Sequence, residues 1–143
     1  MNHASIIDRL EENIPVFESL LATIPEKQVH WKPAPEKWSI LEVVNHLYDE
    51  EREDFRHRLR SVLENPNEAW PPIAPEAWVG ERAYSKREYA PSVSNFLFER
   101  DESIKWLRGL SSHEWQASYR HPQLGVMSAE MILANWLAHD YLH

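Results

Sequence analysis

The stretch Asn135-Trp136-Leu137-Ala138-His139-Asp140-Tyr141-Leu142-His143 closes the sequence, and the rest of the chain is best interpreted around it. His139 and His143 are four residues apart, so on an α-helix they lie on one face, about one turn from each other. Two imidazoles at this spacing can share one metal ion. Two ligands alone make a weak site, and the candidate for a third is His46, within Ser39-Ile40-Leu41-Glu42-Val43-Val44-Asn45-His46-Leu47.

The composition is typical of a globular protein. A length of 143 residues predicts a single domain, residues 1–143, large enough to bury a core. Only three glycines are present, and the ten prolines cluster mainly between Pro25 and Pro35 and between Pro66 and Pro75. The long stretches without Gly or Pro favour helices over strands.

Charge and residue content exclude several classes of protein. The net charge is −8, with no basic stripe to displace phosphate counterions, so we expect no nucleic-acid partner. No apolar run is long enough to span a membrane, and the N-terminus lacks the apolar core of a signal peptide, which predicts a cytoplasmic protein. The chain has no Cys, so any thiol chemistry needs a thiol brought by a substrate.

Four segments carry apolar residues at spacings of three and four, the pattern of amphipathic helices. We place them at about Ser5 to Thr23, from Ser39 to Asn65, at about Pro91 to Arg108, and from Ser128 onward. Ser39 and Glu42 form a predicted capping box, with Trp38 and Val43 as a hydrophobic staple. Between the third and fourth helices, residues 111–125 are predicted to form a loop with one helical turn near His113.

The connection from Asn65 to Ala90 decides the topology. It is proline-rich and about 26 residues long, unusually long for a loop in a compact domain. A four-helix bundle with one long crossover accounts for it, because the next helix then runs parallel to the last. The predicted fold is therefore all-α, an up-down-down-up bundle with the crossover between helices two and three. In this bundle His46 lies near the level of His139 and His143.

Other side chains could support such a site. Asn135 lies one turn before His139, and Glu42, Asp49 and Glu50 flank His46 at helical spacing. We expect Glu50 to be solvated, as part of a charged outer face of the second helix, and leave Asp49 open.

The remaining histidines and the tryptophans have simpler interpretations. His57 lies about 16 Å further along the helix than His46, at ~1.5 Å per residue, and is expected at the surface. His121 is expected to be solvated, or to line the mouth of a pocket. Trp70 and Trp78, in the crossover, could roof a pocket or pack against a dimer partner. We expect the following tryptophans in the core or in staples: Trp31, Trp38, Trp106 and Trp136.

Three sequence segments together resemble the DinB/YfiT-like superfamily of metal-binding four-helix bundles. They are Pro35-Glu36-Lys37-Trp38-Ser39-Ile40 with Glu42-Val43-Val44-Asn45-His46-Leu47, then His121-Pro122-x-Leu124-Gly125-x-Met127-Ser128, and finally Ala138-His139-x-x-x-His143. The resemblance covers essentially the whole chain. It implies an up-down-down-up bundle in which His46, His139 and His143 bind a divalent metal, most often nickel or zinc, with manganese, iron or cobalt as further options. It also implies a homodimer.

The same resemblance suggests an activity. Some relatives are thiol-dependent S-transferases or isomerases that use bacillithiol, mycothiol or glutathione. We therefore expect a metal-dependent enzyme that activates a low-molecular-weight thiol or water and acts on a small molecule. The alternatives are a metal-dependent hydrolase, a non-catalytic dimeric metal-binding bundle of a bacterial stress response, and a helical scaffold without metal. In the family the last helix continues past the final ligand, whereas this sequence ends at His143, so we expect a weakened site.

Overall fold

Four long helical runs form the body of the structure, a computed structural model that describes residues 2–110 and 115–143. In chain order the elements are α1 (His3–Leu21), α2 (Glu26–Val29), α3 (Ile40–Glu50), a π-helical segment (Glu51–Phe55), α4 (Arg56–Glu64), α5 (Pro75–Glu81), a 3-10 turn (Tyr84–Lys86), α6 (Tyr89–Arg108), β1 (Ser118–His121), β2 (Gly125–Ser128) and α7 (Ala129–Leu142). The first, third and fourth long runs are α1, α6 and α7. The second run consists of α3, the π-helical segment and α4, which follow one another without a break.

Side-chain caps fix where two of these helices begin. At the start of α3, Ser39 Oγ accepts a hydrogen bond from Glu42 N, and Glu42 Oε1 accepts one from Ser39 N. The predicted capping box is thus confirmed, and it places His46 in the second turn of the helix. At the start of α7, Ser128 Oγ accepts a hydrogen bond from Met131 N at 3.1 Å.

Contacts along α1 and α6 show that these two helices are antiparallel. Tyr89 Oη, at the start of α6, donates a hydrogen bond to the carbonyl of Leu21, at the end of α1. At the opposite ends, Arg108 Nη2 donates to Asp8 Oδ1 at 2.9 Å. The second helical run is instead parallel to α6.

Two hydrogen bonds, which follow the same order along both helices, establish this parallel pair. Asn45 Nδ2 donates to Ser92 Oγ at 3.1 Å, and further along both helices Arg56 Nη1 donates to Ser103 Oγ at 3.1 Å. A parallel pair needs the long connection between α4 and α6, so this connection is the predicted crossover.

The last helix, α7, runs antiparallel to α3 and α4. His46 in α3 lies beside His139, while Phe55 further along stacks on Trp136, earlier in α7, with ring centroids 5.9 Å apart. The directions of the four runs are therefore up, down, down and up, as predicted.

A buried ion-pair network joins all four runs at the centre of the bundle. Arg100 of α6 is 1% exposed, and its guanidinium donates to Glu51 at 3.0 Å and to Asp140 at 2.7 Å. Glu51 also accepts a hydrogen bond from Trp136 Nε1, and Asp140 accepts one from Asn13 of α1. Apolar side chains bury the network from both ends of the bundle; they include Leu10, Phe17, Val44, Leu47, Leu59, Phe96, Ile104, Leu107 and Leu133.

The structure corrects three expectations about secondary structure. The second helix contains a π-helical segment in its middle, and the crossover contains the helix α5 and a 3-10 turn. Part of the expected loop at residues 111–125 is an antiparallel hairpin, in which Gly125 adopts a positive φ of +79° at the start of β2. The helical turn expected near His113 falls at residues 111–114, outside the described residues.

The expected charged outer face of the second helix is also corrected. Asp49, Glu50, Glu51 and Asp54 are all buried, because the crossover, α6 and α7 all pack against this helical run. Trp31, by contrast, is 65% exposed and not part of the core. Within the described residues, every helix is too short or too polar to cross a lipid bilayer.

Candidate metal centre

Three imidazoles from two helices meet at one end of the bundle. His46, His139 and His143 each offer a ring nitrogen, and these three nitrogens lie within 4.8 Å of one another. The Nε2 atoms of His46 and His139 are 3.0 Å apart. Metal–nitrogen bonds of about 2.0–2.1 Å at angles near 90–110° place two ligand nitrogens about 2.9–3.4 Å apart. His46 and His139 are therefore at the spacing of two ligands of one metal ion, and a nitrogen of His143, within 4.8 Å of theirs, is near enough to be the third after a small movement.

Aromatic side chains hold the three rings in place. Phe55 lies against His139, with ring centroids 5.1 Å apart. The indole of Trp38, just before the cap of α3, lies 4.8 Å from the ring of His46 and stacks at 6.3 Å on His143. Of the two expectations for Trp38, the core is corrected, because the residue is half-buried at the edge of the histidine cluster, and the staple with Val43 stays a prediction.

The environment keeps these imidazoles neutral. Burial, followed by repulsion from His139 and His143, lowers the pKa of His46 to about 3. Burial, followed by repulsion from His143 and Arg100, lowers the pKa of His139 to about 4, and burial lowers that of His143 as well. Neutral imidazoles have a free lone pair for a cation, so the electrostatics as well as the geometry suit a metal.

The cluster opens into a cavity of about 710 Å³. One wall is the crossover at the start of α5, and the other walls come from α3, α7 and Trp38. Apart from the three histidines, the lining residues are Trp38, Glu50, Ala74, Pro75, Glu76 and Ala77. A three-nitrogen site that faces a cavity leaves coordination positions for an exogenous molecule, as catalytic metal sites do.

The other predicted site residues lie elsewhere. Asn135 is exposed and does not line the cavity. Trp78 is buried beneath Arg82, whose guanidinium carbon lies 3.9 Å from the ring centroid, and it lines a separate cavity. The capping residue Glu42 pairs with Lys32 at 3.2 Å, away from the imidazoles.

Asp49 joins α3 to the crossover. Its carboxylate accepts hydrogen bonds from Arg52 at 2.7 Å, from Arg82 at 2.8 Å and from the hydroxyl of Tyr84. Burial and the Asp49 carboxylate raise the pKa of Tyr84, which stays protonated as the donor. Asp49 therefore fixes the segment that forms the cavity wall. It also acts on His46 through its charge, which favours the protonated imidazole and only partly offsets the effects of burial and of the other two histidines.

Glu50 is the functional candidate that the sequence interpretation placed wrongly. It was expected in solvent, but it is 4% exposed and lines the cavity. The signal was its position four residues after His46, which puts both side chains on one helical face. Its burial depends on α5, a helix that was not predicted.

Two further histidines are remote from the cluster. His57 is exposed, as expected. His121 lies 5.5 Å from Trp70, ring to ring, and lines a different cavity, of about 460 Å³, with Tyr119. Its Nδ1 accepts hydrogen bonds from the backbone at Gln123 and Leu124, so it stabilises the hairpin turn.

Comparison with known proteins agrees with this fold. The structure of YfiT from Bacillus subtilis, described as "a probable metal-dependent hydrolase with an unusual four-helix bundle topology", is similar to this chain with a TM-score of 0.83. The alignment covers 97% of this chain and 79% of YfiT at 18% sequence identity, and at this identity the likeness shows a shared fold. No curated protein matches the chain.

The sequence comparison extends over nearly the whole chain. The family model of the DinB superfamily matches residues 9–143, a range that includes all three histidines of the cluster. The chain belongs to the DinB superfamily.

Proposed function

We propose that the chain is a metal-dependent enzyme in which His46, His139 and His143 hold one divalent cation. The observation that carries this proposal is the convergence of three neutral imidazoles on an open cavity. A divalent cation bound there would lower the pKa of a coordinated water or thiol and so supply a nucleophile near neutral pH. Imidazole ligands without a thiolate suit zinc or nickel, among other metals.

Side chains around the three histidines would position the metal ligands and enclose the substrate. Phe55 and Trp38 pack against the imidazole rings, and the start of α5 forms one wall of the cavity. Because the chain has no Cys, a thiol nucleophile would come from a co-substrate. Transfer of such a thiol to a small electrophilic molecule is the activity we propose first.

Hydrolysis is the second candidate, with water in place of the thiol. The similarity to YfiT, described as a probable metal-dependent hydrolase, supports it. The choice of nickel or zinc, the identity of the thiol and a homodimeric state stay predictions.

A turnover assay tests the proposal. The zinc-loaded and nickel-loaded proteins are incubated with a small thiol and an electrophilic dye, and in parallel with an activated ester. We expect metal-dependent turnover of one of the two, loss of it with a chelator, and loss of it in His139→Ala. The matched control is His57→Ala, a change of the same residue type at an exposed position, which should retain activity. Absence of turnover at every metal loading would exclude the enzyme function.

A further inference from the structure

We propose that the cavity beside the three histidines binds substrates that carry an ammonium group, and that Glu50 is the residue that recognises this group. The inference rests on the proposed function in that it takes this cavity to be the substrate site. It adds the chemical class of the substrate and assigns a role to a buried side chain.

Apart from the three histidines, the ionisable residues that line the cavity are all acids. Two acidic residues line it, Glu50 and the exposed Glu76, and within residues 2–110 and 115–143 no Lys or Arg does. The guanidinium of Arg58 pairs with Asp54 at 3.3 Å, and that of Arg82 pairs with Asp49 and with Glu53. Both arginines thus pair with other carboxylates, and although Arg58 still acts on Glu50 through its charge, no basic side chain of the described residues lies on the cavity wall.

Glu50 in particular lacks a partner that its position calls for. Its Oε1 atom is buried and makes no hydrogen bond within the described structure. Burial, followed by the hydrogen bond and the charge of Asp54, raises the pKa of Glu50 to about 9, and the charge of Arg58 offsets this only in part, so the carboxyl group is neutral near pH 7 unless a cation binds beside it. A buried polar atom without a partner is costly, and such atoms often mark a site for a ligand. An ammonium group would supply both a hydrogen-bond donor and a positive charge.

The rest of the wall suits the remainder of such a molecule. Trp38 gives an aromatic surface, and aromatic rings attract cations. Ala74, Pro75 and Ala77 give a short apolar wall along the start of α5. Because Glu50 lies one helical turn after His46, a small molecule could reach the histidine cluster with one end and Glu50 with the other. An aminothiol, or an electrophile that carries an amino group, has two such ends.

The same features disfavour acidic substrates. At the Glu50 end of the cavity, away from the metal, a carboxylate or phosphate would bring no donor for the buried Oε1 atom and would be repelled by Glu76, with no basic residue to neutralise it; such mismatches give specificity by exclusion. Among small thiols, an aminothiol should therefore bind better than an acidic thiol.

Thiol binding to the cobalt-loaded protein tests this. The absorption of the cobalt–thiolate bond gives the Kd of three short thiols: cysteamine with an ammonium group, neutral 2-mercaptoethanol, and anionic 3-mercaptopropionate. The intrinsic acidities of the thiols differ, so the measured quantity is the ratio of the Kd for 3-mercaptopropionate to that for cysteamine, compared between proteins. We expect Glu50→Gln to lower this ratio about tenfold, which corresponds to a free-energy change of about 1.4 kcal/mol, while cobalt content and the circular dichroism spectrum stay unchanged.

The matched control is Glu76→Gln, which removes an exposed and better solvated carboxylate from the same cavity and should lower the ratio less. An unchanged ratio in Glu50→Gln, or preferential binding of 3-mercaptopropionate by the unmodified protein, would overturn the inference. If no thiol produces the cobalt–thiolate band, the proposed function fails instead. The inference is then tested on the metal-free protein by NMR titration with n-propylammonium and with propionate. Binding of n-propylammonium to the unmodified protein and not to Glu50→Gln would support it, and equal binding to both would refute it.

Discussion

The ring nitrogens of three histidines can bind a metal only while they are unprotonated, and burial favours their unprotonated form. An ordinary histidine has a pKa of about 6.5, so it becomes protonated in mildly acidic solution and then cannot bind a metal. Burial and mutual repulsion lower the pKa of His46 to about 3 and that of His139 to about 4. Protons therefore compete with a metal at these two residues only in strongly acidic solution.

The lowered pKa values predict that the bound metal is released only when the pH falls well below the ordinary pKa of histidine. We expect the loaded protein to keep its metal at about pH 5.5, where ordinary histidines are mostly protonated, and to release it as the pH approaches 4. Burial lowers the pKa of His143 as well, but His143 is the most exposed of the three and should be protonated before the other two. Dialysis at each pH, with the released metal measured by a chromogenic chelator, checks this. A release midpoint near pH 6.5 would contradict the lowered pKa values.

At the level of single residues, the sequence was informative about the histidines and less so about the acids. The four-residue spacing of His139 and His143 and the position of His46 after a helix cap are local features, so they can be recognised in a sequence. The burial of Glu50 depends on the position of the crossover, which comes from elsewhere in the chain. Its spacing of four residues from His46 places it on the face of the histidine, but this spacing alone does not distinguish it from a solvated glutamate.

Among the secondary-structure elements, α3 has the most to do with the histidine cluster, because its first turn fixes the rotation of His46 about the helix axis. The Ser39 hydroxyl accepts the hydrogen bond of the Glu42 amide, which would otherwise lack a partner inside the helix. Ser39→Ala should lower the free energy of unfolding by about 1 kcal/mol, within the range of about 0.5–2 kcal/mol measured for such caps.

Urea unfolding followed by circular dichroism measures the effect of this substitution. The control is Ser94→Ala, the same change at an exposed position of α6, which should alter stability by less than about 0.5 kcal/mol. Equal effects at the two positions would show that the capping bond contributes nothing.

The elements that sequence reasoning missed are short or irregular. The π-helical segment Glu51–Phe55 differs from an α-helix by a local change of hydrogen bonding, which leaves the apolar pattern on both sides intact. The strands β1 and β2 have four residues each and are mostly not buried, so they have no long alternating pattern to detect. The helix α5 forms in a proline-rich segment because Pro75 occupies its first turn, where no backbone N–H is needed.

Across the whole molecule, one buried arginine connects the four helical runs. Arg100 contacts Glu51 and Asp140, and neither carboxylate has access to solvent. Removal of the guanidinium leaves two buried carboxylates without their cation, which costs about 3–5 kcal/mol. We therefore expect Arg100→Met to lower the free energy of unfolding by about this amount.

The control for this prediction is Arg108→Met. Arg108 also bridges two acids, Asp8 and Glu11, but it does so at the exposed surface, where such pairs contribute roughly 0–1 kcal/mol. Urea unfolding of both variants measures the difference. A loss in Arg100→Met no larger than that in Arg108→Met would mean that the network does not stabilise the bundle.

The topology of the whole molecule was predictable because one long connection constrains it. Given four helices and a crossover after the second, the first and third helices are antiparallel, and so are the second and fourth; this brings the start of α3 to the end of α7. The central network was not predicted, since Arg100, Glu51 and Asp140 each look like an ordinary charged surface residue in the sequence. Their burial depends on the packing of all four runs at once.

The metal content of the purified protein tests the central claim most directly. After incubation with zinc or with nickel and removal of the excess, elemental analysis should find one metal ion per chain. We expect His46→Ala and His139→Ala each to lose most of this metal, while His57→Ala keeps it. Retention of one metal ion per chain in both His46→Ala and His139→Ala, or no bound metal in the unmodified protein, would contradict the claim that these imidazoles form a metal site.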